Sequence, residues 1–301
     1  MSDQSSDAPS SNIGLIGAIL SPVFLGLAPI FGKLAFLGGS DPFTVAAVRT
    51  VVATALLWII YVLFWRRYLY IFPAGLLGCV AIGVVNGIGS LFYYSGLYRL
   101  DASLTQILNV TYLVFVVLLI NLSGQRNIRQ LLPGFFLAAI GVILVLAGIS
   151  GQIDWLSIGL IMGNAILFAG TVVLSQRVLY EMPAPTLALY VLTTMAAVVV
   201  IARIIYRVEW IPQSTEATWA MIALGGSTAL ARLTLFMGVK GLGGLQTALL
   251  SIFELAITLV LTLLLLHEQL SALQWIGVLL LVATVFVLRY RPRKPMVASL
   301  P

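Results

Sequence analysis

Two side chains of opposite charge lie deep inside apolar runs of this chain, at matched distances from one turn. Arg232 and Glu254 each stand 11 residues from Gly243, in the tight link KGLGG. At about 1.5 Å of rise per residue, antiparallel helices joined there hold both groups at one depth, roughly 16 Å from the turn. A charge inside a membrane is expensive unless it is paired, neutralised or facing water, and it marks function by default. Two readings follow. A fixed Arg232 to Glu254 pair neutralises two buried charges. In the other reading at least one of them meets a solute or a proton, with Glu254 the acid placed for proton coupling.

Further polar groups fall inside neighbouring runs. Gln106, Asn109 and Tyr112 recur at helical spacing and share a face. Asn86 sits in GVVNGIGS, among small residues that let helices approach closely. Tyr94 belongs to an aromatic group with Phe92, Tyr93 and Tyr98. These side chains either bond a neighbouring helix and form an interfacial belt, or wall a solute site; Asn164 and Gln176 follow the same logic. Lys33 and Arg49, each 8 residues from Asp41, read either as snorkelling cations or as an electropositive outer vestibule or gate. Arg203 reads as a snorkelling arginine.

Catalytic constellations are missing from the sequence. His267 is its one histidine, and no HExxH, multi-acid cluster or GxxxxGK[ST] loop occurs. Cys79, the one cysteine, allows no internal disulfide and no multi-cysteine metal site. We expect no enzyme, no metal, no cofactor and no ATP-driven step.

The elements that must position these groups are ten apolar runs, at about 13–37, 43–64, 72–98, 102–122, 131–149, 156–179, 185–206, 218–239, 245–266 and 272–289. Each is roughly 20 residues of continuous apolarity, which fits membrane helices and not the in-out alternation of a barrel. Composition agrees: 61% hydrophobic and 9% charged, with a mean hydropathy of +1.10, against about 25% charged in a soluble domain. So few ionisable groups exclude a soluble enzyme and a nucleic-acid binder, and the net charge of +6 is read as topology. Arg66, Arg67, Arg126, Arg129, Arg177, Lys240, Arg289, Arg291, Arg293 and Lys294 gather on one side. That side is expected to be cytoplasmic, as are both termini. The acidic start MSDQSSDAPSSN lacks the charged region of a signal peptide.

The second five runs repeat the first. Pro42 and Pro185, Gln125 and Glu268, and Gly134 and Gly277 are each separated by 143 residues. An odd number of spans per half puts the second half upside down, and inverted repeats place a binding site between the halves near the midplane. The expected architecture is all-α, with ten transmembrane helices as two inverted five-helix repeats at 13–150 and 151–289. A polar tail (1–12) and a basic tail (290–301) flank them.

The segment ELAITLVLTLLLLHEQLSALQWIGVLLLVATVFVLR resembles the last two helices of EamA-type transporters in the drug/metabolite transporter superfamily, with Glu254, Glu268, Gln274 and Gly277 at the matching positions. SGQRNIRQLLPGFFLAAIGVILVLAG follows the same pattern in the first half, and DPFTVAAVR, with Arg49, resembles the family's second-helix opening. Leu255 and Tyr112 stand where the family usually has proline, Gln125 where it has glutamate and His267 where it has glycine. The resemblance implies a ten-helix carrier with alternating access, often an exporter of amino acids or other small metabolites, whose cavity is lined by spans one, three, four, six, eight and nine. A small solute and the bilayer are then its partners, with a proton or counter-solute as the driving species and a monomer or homodimer as the assembly. A channel, a receptor or an assembly partner is the alternative.

Overall fold

The computed structural model describes residues 8–121, 132–149, 152–207 and 214–288. Both tail segments up to residue 7 and from 289, and the calls on Gln125, Arg126, Arg129, Arg289, Arg291, Arg293 and Lys294, lie outside the described residues. Thirteen α-helices and no strand occur among the described residues. The first repeat contains α1 (Ala8–Gly26), α2 (Ala28–Leu37), α3 (Pro42–Leu63), α4 (Pro73–Arg99), α5 (Ala102–Asn109), α6 (Tyr112–Ile120) and α7 (Leu132–Ala147). The second contains α8 (Trp155–Val178), α9 (Ala184–Ile205), α10 (Thr215–Leu242), α11 (Gly244–Leu250), α12 (Ile252–Leu261) and α13 (Ala272–Leu288).

Eight spans among the described residues are long and apolar enough to cross a bilayer, and α7 and α13 are shorter apolar helices. The chain is a multi-pass membrane protein. Its outward surface is apolar as lipid demands, with Phe136, Leu279 and Phe286 about two-thirds exposed.

Three spans expected to be continuous are broken. The first divides at Leu27, where Pro29 near the start of α2 supplies no backbone N–H. The fourth divides at Val110 and Thr111, and the Thr111 hydroxyl donates to the Leu108 carbonyl at 2.6 Å. The ninth divides at Ser251, whose hydroxyl donates to the Thr247 carbonyl at 3.1 Å. Hydroxyls that bond back to the preceding turn offer the backbone an alternative to the helical ladder. The ninth span then ends in a π-turn, Thr262–Leu266, closed by His267 at φ 54°. That left-handed conformation is one that glycine adopts most readily.

The packing repeats as the sequence does. A shift of 143 residues carries α1 onto α8, α3 onto α9, α4 onto α10 and α7 onto α13. Helix α1 packs along α10, and its image is α8 along α4. Likewise α3 against α10 is the image of α9 against α4, while α3 with α9 and α7 with α13 are their own images. Small residues permit these contacts: a Cβ added to Gly14 would lie 2.5 Å from the Cα of Gly241. One element breaks the symmetry, because α8 runs unbroken through Gly170 where its counterpart, the first span, is divided.

Helices α3 and α8 begin on aspartate caps. Asp41 accepts hydrogen bonds from the backbone N–H groups of Phe43 (2.9 Å) and Thr44 (3.0 Å) and from the Thr44 hydroxyl, fixing the start of α3. Asp154 does the same for α8, accepting from Ser157 N–H and hydroxyl. These hydrogen bonds, more than the Arg99 guanidinium nearby, hold its carboxyl below the usual carboxylate range.

Candidate functional site

Where the two repeats meet, a cavity of about 70 Å³ is lined by seven of the ten spans, six of which bring polar side chains. Leu25 and Ala28 come from the break in the first span, and Arg49 from α3. Helix α4 contributes Asn86, Ser90, Tyr93 and Tyr94, and α5 contributes Asn109. Asn164 and Phe168 of α8, Arg232 of α10 and Glu254 of α12 complete the lining.

Each charged group is held separately. Arg49 donates from Nη1 to the Thr228 hydroxyl at 3.0 Å and from Nη2 to the Ser90 hydroxyl at 2.6 Å, with its guanidinium 4.6 Å from the centre of the Tyr94 ring. Arg232 lies 5.2 Å from the centre of the Phe168 ring. Glu254 sits in the first turn of α12, where the positive end of a helix dipole favours a carboxylate. Its Oε1 accepts from Gln106 Nε2 at 2.8 Å. No salt bridge joins Arg232 to Glu254; Arg232 Nη1 and Glu254 Oε2 are both buried without a hydrogen-bond partner among protein atoms. Both line one cavity despite the break at Ser251, Glu254 with Gln106 as its partner and Arg232 with the Phe168 ring.

The remaining sequence candidates divide by place. Asn86 lines the cavity with its Nδ2 unpartnered, and Asn109 accepts from Asn164 Nδ2 at 2.7 Å. Gln106 is a positioning residue for Glu254, outside the lining. Tyr112 also lies outside it, its ring edge packed on Phe168 with centroids 4.8 Å apart. Tyr98 is half exposed and packs edge-on against Phe36. Lys33 and Arg49 do not share a site: Arg49 is in the central cavity, and Lys33 lies near Asp101 and Glu268 at one end of the bundle. Arg203, read as snorkelling, is wholly buried. Sequence reasoning missed Ser90, Phe168 and Thr228, since one hydroxyl or ring among many in apolar helices gives no signal.

The family model of EamA-like transporters matches residues 12–147 and again 155–290. The chain belongs to the EamA-like transporter family. Each match takes in one five-span repeat, so the cavity of this EamA-like transporter lies between two copies of the family unit. In one solved crystal structure, 94% of this chain aligns with 96% of that chain at 19% identity and a TM-score of 0.64, which shows a shared fold. No curated protein matches the chain.

At the end of the bundle near Lys33, Glu268 links the repeats of the EamA-like transporter. Its two oxygens accept from the backbone N–H groups of Ala102 (2.9 Å) and Ser103 (2.8 Å), so a turn of the second repeat caps α5 of the first. Asp101 adjoins this cap. Partial burial, and then the negative charge of Glu268, push its carboxyl above the usual range, with Lys33 opposing. At the other end of the bundle the N–H of Gly244, opening α11, donates to Gln176 Oε1 at 3.1 Å, and Lys240 Nζ donates to the Met182 carbonyl at 2.7 Å.

Proposed function

We propose that this EamA-like transporter is a secondary carrier that exports a small metabolite bearing an amine and a carboxylate across the cytoplasmic membrane. Arg232 meets the carboxylate, Glu254 meets the amine, and the two repeats rock about the cavity between them. The observation that carries this reading is the pair of buried, unpartnered atoms, Arg232 Nη1 and Glu254 Oε2, facing one cavity. Buried polar atoms without partners are strongly disfavoured unless something else satisfies them. A cavity of about 70 Å³ is well below the roughly 300–1,000 Å³ of an ordinary small-molecule site, so loading requires the repeats to part. Glu254 also serves as the proton-coupling group when uphill export draws on a proton gradient. The basic ends of the spans, including Arg66, Arg67, Arg177 and Lys240, support a cytoplasmic placement of that side and of both termini. Outward transport and alternating access rest on the family resemblance.

Purified protein in liposomes tests this by counterflow of labelled amino acids and related metabolites, with and without a pH gradient. Arg232→Gln and Glu254→Gln should each lower counterflow at least tenfold, the loss of one charge-assisted contact of about 1.4 kcal/mol or more. Glu254→Gln should also abolish any response to the gradient. Unchanged rate, substrate range and pH response in both folded variants would sink the assignment, and an absence of flux for every solute would favour a receptor or assembly partner.

A further inference from the structure

The charges around the central cavity do not balance. Arg49, Arg232 and Glu254 are all at least nine-tenths buried, at 6%, 8% and 4% exposure. With Glu254 ionised they carry a net +1, and protonating Glu254 widens the imbalance. Thr228 and Ser90 satisfy two hydrogen bonds of Arg49, but hydroxyls cancel no charge. The rings of Tyr94 and Phe168 stabilise the two guanidiniums without neutralising them. Arg49 and Arg232 line the same small cavity, so the two cations share one electrostatic environment.

The unpartnered atoms show the same excess. Arg49 Nε, Arg232 Nη1 and Asn86 Nδ2 are three buried donors, against one buried acceptor, Glu254 Oε2. All four residues line the cavity. A neutral, zwitterionic amino acid supplies one ammonium for Glu254 and one carboxylate for a guanidinium, leaving the other cation uncompensated in a low-dielectric site. A solute with one ammonium and two anionic groups complements every member of the set.

We propose that the preferred cargo is an acidic α-amino acid, carried as a monoanion: its ammonium on Glu254, one carboxylate on Arg232 and the second on Arg49, with Asn86 donating beside them. This rests on the reading that the Arg232 and Glu254 cavity is the cargo site, and it changes the part assigned to Arg49. The residue then selects acidic cargo, where an outer-gate cation would act on all solutes alike.

The test compares isosteres in proteoliposome counterflow: aspartate against asparagine, glutamate against glutamine, and succinate as the diacid without an amine. Each acidic amino acid should exceed its amide at least tenfold in rate at equal low concentration, equivalent to about 1.4 kcal/mol. Succinate should fall below aspartate because Glu254 finds no ammonium. Arg49→Gln should collapse the aspartate to asparagine ratio towards one, and Arg49→Lys should keep it above about threefold. Because a buried arginine variant can fold poorly, aspartate and asparagine are also compared as thermal stabilisers of the wild type, where aspartate should give the larger shift. Asparagine carried as well as aspartate, with both lost in Arg232→Gln, would overturn the acidic-cargo assignment while leaving the carrier reading intact. No counterflow of any amino acid would overturn both.

Discussion

Gln106 shows how one neutral side chain supports a buried charge. Its amide is the protein donor to Glu254, 2.8 Å away, and both residues are buried. Gln106→Leu strips the carboxylate of that donor and should destabilise the protein by about 1–3 kcal/mol, the desolvation penalty of an orphaned buried group. Replacing both partners removes the orphan, so Gln106→Leu with Glu254→Leu should be less destabilised than Gln106→Leu alone. Thermal unfolding of the two single variants and the double variant in detergent measures this; additive losses would contradict it. The sequence places Gln106, Asn109 and Tyr112 on one face, but it does not separate their jobs. One turn of helix decides whether an amide reaches the cavity or the carboxylate that lines it. Depth was read from the spacing about Gly243, which sits alone between α10 and α11, and Arg232 and Glu254 both line one cavity. It was misjudged for Lys33 and Arg49 because the link between α2 and α3 is centred near Gly39 and Ser40, not on Asp41. Lys33 is then 4 residues inside its helix and Arg49 is 7, a difference of about 4.5 Å.

At the scale of elements, the N-terminus of α5 gathers charge that its own residues do not resolve. Asp101 occupies the N-cap position without capping, since Glu268 already accepts from the first two N–H groups. A carboxyl raised above its usual pKa binds a proton more readily in the folded state, so its favourable contribution is present at low pH and is lost as pH rises through the folded value. Asp101→Asn should therefore raise the melting temperature slightly at pH 7.5, and the gain over wild type should shrink as pH falls towards 4. An advantage that grows on acidification would reverse the argument. The helices themselves follow from the apolar runs, whose ends mostly agree with the observed ones to within a few residues. The breaks at Leu27, Thr111 and Ser251 do not, because hydropathy is continuous across them and only Pro29 and two hydroxyls record them. The break at Ser251 matters most, since it puts Glu254 in the first turn of a new helix.

Across the whole molecule, one shift of 143 residues accounts for the family matches, the helix order and the packing pairs. The inverted repeat was readable because Pro42, Gln125 and Gly134 each have a counterpart at that interval, and proline and glycine at helix ends constrain the backbone irrespective of cargo. The site was less readable because it lies where the repeats differ: Arg49, Asn86, Arg232 and Glu254 face Leu192, Ala229, Gly89 and Thr111 across the shift. A duplicated scaffold thus holds an unduplicated set of charges.

The two caps at opposite ends of the bundle differ in charge, and this bears on how each face of the membrane sees the carrier. Glu268 accepts two hydrogen bonds from the other repeat as a carboxylate, whereas Gln176 accepts one within its own repeat as an amide. Charge-assisted bonds are roughly twice as strong as neutral ones. Only the Glu268 cap crosses between the repeats, so in the proposed carrier it adds to what keeps its own end closed, and a solute arriving there finds the receptive form in a smaller fraction of molecules. Apparent affinity falls in proportion to that fraction. Half-saturation measured from the Glu268 face should need more solute than from the Gln176 face, and Glu268→Gln should bring the two concentrations together. The Glu268 cap acts outside the cavity, so a single binding site would present two different affinities to the compartments it separates.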